Sequence, residues 1–155
     1  MKKIPLTKGK FAIVDDDDFV KFGGLKWHTN DGYAARAITV DGKRVVLLMH
    51  REIMNTPVGF ETDHRNSEIL DNRKANLRVC TNSQNQGNRR KGSRKYSSIF
   101  KGVVWRKSHK CWTAQIRLNY KQRHLGYFNS ETDAAHVYNA AASEAFGEFA
   151  KLNPV

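Results

Sequence analysis

FETDHRNSEILDNRKANLRVCTNSQNQGNRR, residues Phe60–Arg90, is the stretch around which the rest of the chain is organised. Asp63 and His64 are adjacent, Asn76 follows His64 by twelve residues, and Asn85 follows Asn76 by nine. Phe60–His64 reads as a short strand, Asn66–Ala75 as a polar loop and Leu77–Cys80 as a second short strand. Thr81 is a candidate N-cap for a polar helix over TNSQNQGNRR, with Gln84 three residues on as in a capping box. Strand, loop, strand and helix could bring their polar side chains to one side.

A carboxylate, an imidazole and an amide oxygen are the parts that hold one hard divalent cation and activate a water beside it. Asp63 would supply the charged ligand and Asn85 the neutral one. His64, with an ordinary imidazole pKa of about 6.5, suits a base at neutral pH. On a flat strand His64 points away from Asp63. Both serve one site only if the strand twists or ends there, which the loop after it allows. The same letters also read as a turn pair followed by an exposed helix asparagine, and spacing alone does not separate the two.

Outward from this stretch, 155 residues make one ordinary domain or two small ones, and 39% hydrophobic with 10% aromatic residues suffices for folded cores. A formal net charge of +12 and a pI near 9.9 speak of partners, the commonest being nucleic acid and anionic membrane. No apolar run approaches the roughly 20 residues that span a bilayer. The opening MKKIPLTKGK has charge but no apolar segment of a secretory signal, so the expected location is cytoplasmic, not secreted. Cys80 and Cys111 form no C-x-x-C pair, which argues against a disulfide framework or a structural zinc. The charge is uneven. Residues 1–85 carry 14 Lys and Arg against 11 Asp and Glu; residues 86–155 carry 13 against 4.

Towards the N-terminus, Lys10–Val14 reads as a strand, and Asp15–Asp18 precede a short helix that they cap and that Gly23 and Gly24 stop. A calcium loop starting at Asp15 would need Gly and Glu where Val20 and Lys26 stand. Gly32–Thr39 and Lys43–His50 read as strands about an Asp41-Gly42 hairpin turn. Towards the C-terminus, Gln86–Ser98 has the composition of a basic linker. Three strands follow at Phe100–Trp105, Trp112–Arg117 and Arg123–Phe128. In the middle one Trp112, Ala114 and Ile116 share a face and Thr113, Gln115 and Arg117 the other. Ser130 caps a final helix whose stripe is Ala134, Tyr138, Ala141, Ala142 and Ala145; Gly147 ends it, and Phe149 and Leu152 tuck the tail inward.

The segments LMHREIM, ETDHRN and LDNRKANLRVCTNSQNQGNRR resemble the HNH endonuclease family, in its phage and intron-encoded homing branch. The resemblance implies a ββα-metal motif in which His64 is the general base, Asp63 and Asn85 are the metal ligands, and Asn76 braces the loop. His50 would be a scaffold histidine or an auxiliary phosphate contact. The segments FKGVVW, KCWTAQIR, HLGYF and TDAAHVYNAAASEAFGEFAKLN resemble the AP2 DNA-binding domain of plant transcription factors. That resemblance sets Gln115, Arg117 and Tyr127 towards DNA and adds Tyr138. It departs at Val104, where plant domains often carry Arg, and at His124, where they carry Trp.

The resulting expectation is an α+β chain: an HNH nuclease domain over residues 1–88, a basic linker over 89–98, and over 99–155 an AP2-like domain of a three-stranded antiparallel sheet packed on one helix. It would be a metal-dependent DNA endonuclease of homing type, using one divalent ion, Mg2+ or alternatively Mn2+. Its partner would be double-stranded DNA rather than membrane, with monomer and homodimer both open. The DNA-facing candidates are Arg89, Arg90, Lys101, Arg106, Lys107, Gln115, Arg117, His124 and Tyr127. Lys91, Arg94 and Lys95 would join Arg89 and Arg90 along phosphates. A non-catalytic DNA-binding regulator and an RNA-binding protein are the competing classes.

Overall fold

Lys2–Pro5 (β1) and Phe11–Val14 (β2) pair antiparallel, with Ile4, Ala12 and Val14 turned fully inward. In a computed structural model describing residues 1–90, 92 and 96–155, the chain divides into two compact units, Met1–Asn82 and Ser83–Val155. Among the described residues the first holds three small antiparallel sheets and the second one, each with a few helices.

In the first unit, helix α1 (Asp16–Phe22) follows β2. The aspartates therefore form its first turn instead of preceding it. Asp15 holds the N-cap position, yet its side chain accepts the Lys74 backbone N–H at 2.8 Å and not one from its own helix. Gly23 is the C-cap. Strands β3 (His28–Asn30), β4 (Tyr33–Val40) and β5 (Lys43–Leu48) form a sheet in that order. Asp41 and Gly42 turn between the last two with φ of 50° and 74°, the left-handed pair a two-residue hairpin requires. Strands β1 and β3, each of four residues or fewer, carried no apolar alternation that sequence could register.

Strand β5 stops at Leu48, two residues short of the expected His50, because Met49 opens helix α2 (Met49–Ile53). Met49 is fully buried with Ile4, Leu6, Ala12, Val14, Trp27 and Ala34. A bidentate Arg36–Glu52 pair, at 2.8 and 2.7 Å, ties the helix to β4. The helical turn swings His50 inward beside Met49. Strands β6 (Glu61–His64) and β7 (Leu77–Cys80) then pair antiparallel, and α3 (Asn82–Asn88) follows. Gln86–Asn88 thus belong to a helix, not to the linker, and Gly87 and Asn88 are buried.

In the second unit β8 (Val103–Arg106), β9 (Cys111–Leu118) and β10 (Lys121–Phe128) make an antiparallel sheet with β9 central. Helix α4 (Glu131–Phe146) lies on the face carrying Val103, Ala114 and Ile116. Ser130 caps it, its hydroxyl accepting the Asp133 N–H at 3.3 Å. The buried stripe is Ala134, Ala135, Tyr138, Ala142 and Phe146; Ala145 is exposed, because the stripe drifts around the helix and Phe146 takes the last core position. Small side chains bring α4 close. Gly102, at φ 75°, leaves no room for a Cβ, which would sit 2.0 Å from the Tyr138 ring. Tyr138 is therefore core, not a DNA contact. Leu152 is exposed, and Asn153 fastens the tail instead: it exchanges hydrogen bonds with the Lys101 backbone at 2.7 and 3.0 Å and with the Asn139 side chain at 2.8 and 3.0 Å.

Candidate active site

Antiparallel register sets Asp63 opposite Arg78 and His64 opposite Leu77. Cross-strand partners project to the same face, so Arg78 meets Asp63 directly. Its Nε and Nη2 donate to Asp63 Oδ2 at 2.9 and 2.8 Å. Both side chains are buried, Asp63 at 6% exposure. A guanidinium fork of this kind fixes a carboxylate's orientation.

His64, 4% exposed, projects to the other face of β6 into a pocket of rings. The His50 ring meets it edge-on at 5.0 Å and Tyr33 at 6.0 Å, and Tyr33 also lies 5.1 Å from His50. Its Nε2 is 3.2 Å from Oδ1 of Asn72. Burial pulls the His64 pKa below the ordinary imidazole value, against the Asn72 hydrogen bond and the charges of Asp63 and Asp71, which favour the protonated ring. Burial, with the charges of His64 and Arg51 adding, pushes His50 down to about 3. Both rings are neutral near pH 7, as a general base must be. His50 Nδ1 is buried, with no hydrogen-bond partner among the described residues.

The loop 65–76 is held from within. Asn76 donates through Nδ2 to the Asp71 carbonyl at 2.7 Å, accepts the Asn66 N–H on Oδ1 at 3.0 Å, and accepts the Arg65 N–H on its carbonyl at 2.9 Å. Asp71 is paired with Arg73 at 2.6 and 2.7 Å, and that pairing holds its carboxyl below the usual carboxylate range. The loop is also stitched to β2: Ile13 N–H donates to the Leu70 carbonyl and Asn72 N–H to the Ile13 carbonyl, both at 2.8 Å.

Asp63, His64 and Asn76 all belong to the first unit, with Asp63 and His64 on opposite faces of β6, while Asn85 is half-buried along α3 and is counted with the second. Sequence reasoning missed Arg78, Asn72 and Tyr33. Arg78 was detectable only from the pairing register. Asn72 sat among loop-type residues with no periodicity to mark it.

Among the described residues no group of three or more His, Cys, Asp and Glu side chains could hold a metal ion. The carboxylate of Asp63 and the amide oxygen of Asn85 are hard donors, the type that hard divalent cations take. The oriented Asp63 fits that use. Asn76, occupied by loop carbonyl and N–H groups, does not.

A sequence model described as HNH endonuclease matches residues 55–87, the span from just past α2 through β6 and β7 into α3. An uncharacterized HNH endonuclease of Acanthamoeba polyphaga mimivirus is 32% identical over 156 residues, covering 96% of this chain and 77% of the relative. The chain belongs to the HNH endonuclease family. It is accordingly a nuclease, and HNH nucleases generally use a divalent metal ion. No solved structure matches it.

In the second unit of this HNH endonuclease, Arg106, Gln115, Arg117, His124 and Tyr127 fall on the sheet face opposite α4 by strand register. Tyr127, 59% exposed, lies between the rings of His124 at 4.5 Å and His109 at 5.5 Å. Gln115 accepts from the Gln122 amide, and Arg117 Nε donates to the Tyr120 carbonyl at 3.3 Å. Lys107 is exposed in the turn beyond β8, and Arg89 and Arg90 are exposed after α3. Lys101 is off this face: its ammonium donates to the Gly87 carbonyl at 2.6 Å at the end of α3, and burial lowers its pKa to about 8. Lys91, Arg94 and Lys95 lie outside the described residues. No helix among the described residues is long and apolar enough to cross a membrane.

Proposed function

We propose that this nuclease is a homing-type DNA endonuclease that hydrolyses phosphodiester bonds with a divalent cation, at a site chosen by an AP2-like module over residues 99–155. The observation that carries the catalytic reading is the buried pair on β6: Asp63 oriented by Arg78, and His64 kept neutral beside it. A cation held by Asp63 and Asn85 would supply charge neutralisation at the scissile phosphate. His64 takes the proton of the attacking water, whose oxygen bonds to phosphorus as the leaving oxygen departs with its electron pair and takes a proton from solvent. Arg78 holds the Asp63 carboxylate in place. Asn76 keeps the loop after His64 closed.

Support for the DNA-facing role of the second unit is the basic and aromatic face of its sheet: Arg106, Gln115, Arg117, His124 and Tyr127 on one side, with α4 covering the other. Strands present side chains to groove edges in this way, Arg suiting guanine and Gln adenine. Arg89, Arg90 and Lys107 would contact phosphates and add affinity without sequence information. Residues 1–88 would form the nuclease domain and 89–98 the basic linker.

The test is cleavage of plasmid DNA by the full-length protein with Mg2+ or Mn2+ and with chelator. Cutting in either metal, lost on chelation, is the expected result. His64→Ala should lower turnover by about 100-fold or more while DNA affinity persists. A wild-type protein inert in both metals but still binding DNA would instead mark a regulator with a decayed nuclease centre.

A further inference from the structure

Asn72 is fully buried, and its side chain bridges two groups. Its Nδ2 donates to the Leu70 carbonyl at 3.4 Å, and its Oδ1 faces His64 Nε2 at 3.2 Å. These two bonds determine each other. Turning the amide over would set Oδ1 against the Leu70 carbonyl, two acceptors with no proton between them, and would aim Nδ2 at the ring. With the oxygen towards the ring, the nitrogen it meets must carry a hydrogen, because a carboxamide oxygen only accepts.

We propose that Asn72 is a positioning residue of the cleavage reaction, locking the His64 proton on Nε2 and so assigning Nδ1 as the nitrogen that takes the proton from water. This rests on His64 as the base. Which ring nitrogen is basic in a neutral histidine is set by the bond the other one makes. An amide suits the task because it stabilises the imidazolium as it forms and offers no site that could take the proton itself. The amide is also hard to displace: the backbone on either side of Asp71 is bonded to β2, Leu70 carbonyl to Ile13 N–H and Asn72 N–H to Ile13 carbonyl, both at 2.8 Å. The β1–β2 ribbon thereby serves the active site, although it lies far from it in sequence. On other sides of the His64 ring stand His50 and Tyr33, which limit its rotation.

Long-range proton–nitrogen correlation spectra of the 15N-labelled full-length protein read the tautomer directly, with the His64 signals identified by their loss in His64→Ala. The expected wild-type pattern is a protonated Nε2 and an unprotonated Nδ1. Asn72→Leu, which keeps the bulk and removes the acceptor, should give a mixture of tautomers and lower kcat by about 10–100-fold with KM and DNA affinity unchanged. A protonated Nδ1 in the wild type overturns the proposal, and this measurement stands even if Asn72→Leu fails to fold. So does full kcat in a folded Asn72→Leu when His64→Ala is inactive. Undiminished cutting by His64→Ala would instead remove the base reading, and Asn72's catalytic role with it.

Discussion

His50 shows what burial does to a single residue. Its ring is 5% exposed, edge-on to His64, and its pKa falls from 6.5 to about 3. The folded state therefore favours the neutral ring, while the unfolded chain binds its proton near pH 6.5. Between those values the unfolded state holds more protons, so stability falls as pH drops through the window. Denaturant unfolding followed from about pH 6.5 down to about pH 4.5, above most carboxylate titrations, should show this decline. His50→Phe, which keeps a ring but cannot charge, should flatten it. An unchanged pH slope in His50→Phe would place the titration elsewhere. The sequence named His50 as scaffold or phosphate contact, and its buried place among rings, with Nδ1 closed off from solvent, accords with the scaffold role. Asp63 and His64 were legible as letters. Their partners Arg78 and Asn72 were not, since each meets its target through strand pairing or loop closure.

Among the elements, the sheet and helix of the second unit were readable because their periodicities are clean. Alternation in β9 and the Ser130 cap of α4 are local properties of a few residues. The ends were less readable: Ala145 fell outside the stripe and Leu152 outside the core, because helix drift and the Asn153 clasp depend on what lies opposite. Gly102 makes the same point energetically. A Cβ there would meet both the Tyr138 ring at 2.0 Å and the Gln115 carbonyl at 2.7 Å, at a φ that L-residues rarely adopt. Gly102→Ala should cost about 2–3 kcal/mol through overpacking and backbone strain. Thermal and denaturant unfolding of the variant measure it, and a loss below about 0.5 kcal/mol would mean that α4 moves away without cost.

For the whole molecule, charge is unevenly divided along the chain. Residues 86–155 hold 13 basic against 4 acidic side chains, while the first 85 are nearly balanced. If the second unit provides the DNA affinity, binding should weaken steeply with salt, each phosphate contact adding about 0.9 to the slope of log K against log salt. If Lys107 contacts a phosphate, removing its charge should reduce that slope by about one and weaken all sequences alike. Arg117→Ala should instead relax preference at one base position. Fluorescence anisotropy across a salt series with specific and scrambled duplexes distinguishes the two, and equal effects from both variants would argue against base reading by β9.

The sequence by itself determined the family, the order of the elements around Asp63 and His64, and the basic character of the C-terminal part, since all three are carried by local spacing and composition. Only tertiary structure decided that β2 clamps the loop after His64, that Arg78 orients Asp63, that Asn72 faces the His64 ring, that the Lys101 ammonium bonds the Gly87 carbonyl and that Tyr138 is buried. Those facts depend on residues distant in sequence meeting at hydrogen-bond or packing distance. No pattern along one chain specifies which partners will meet.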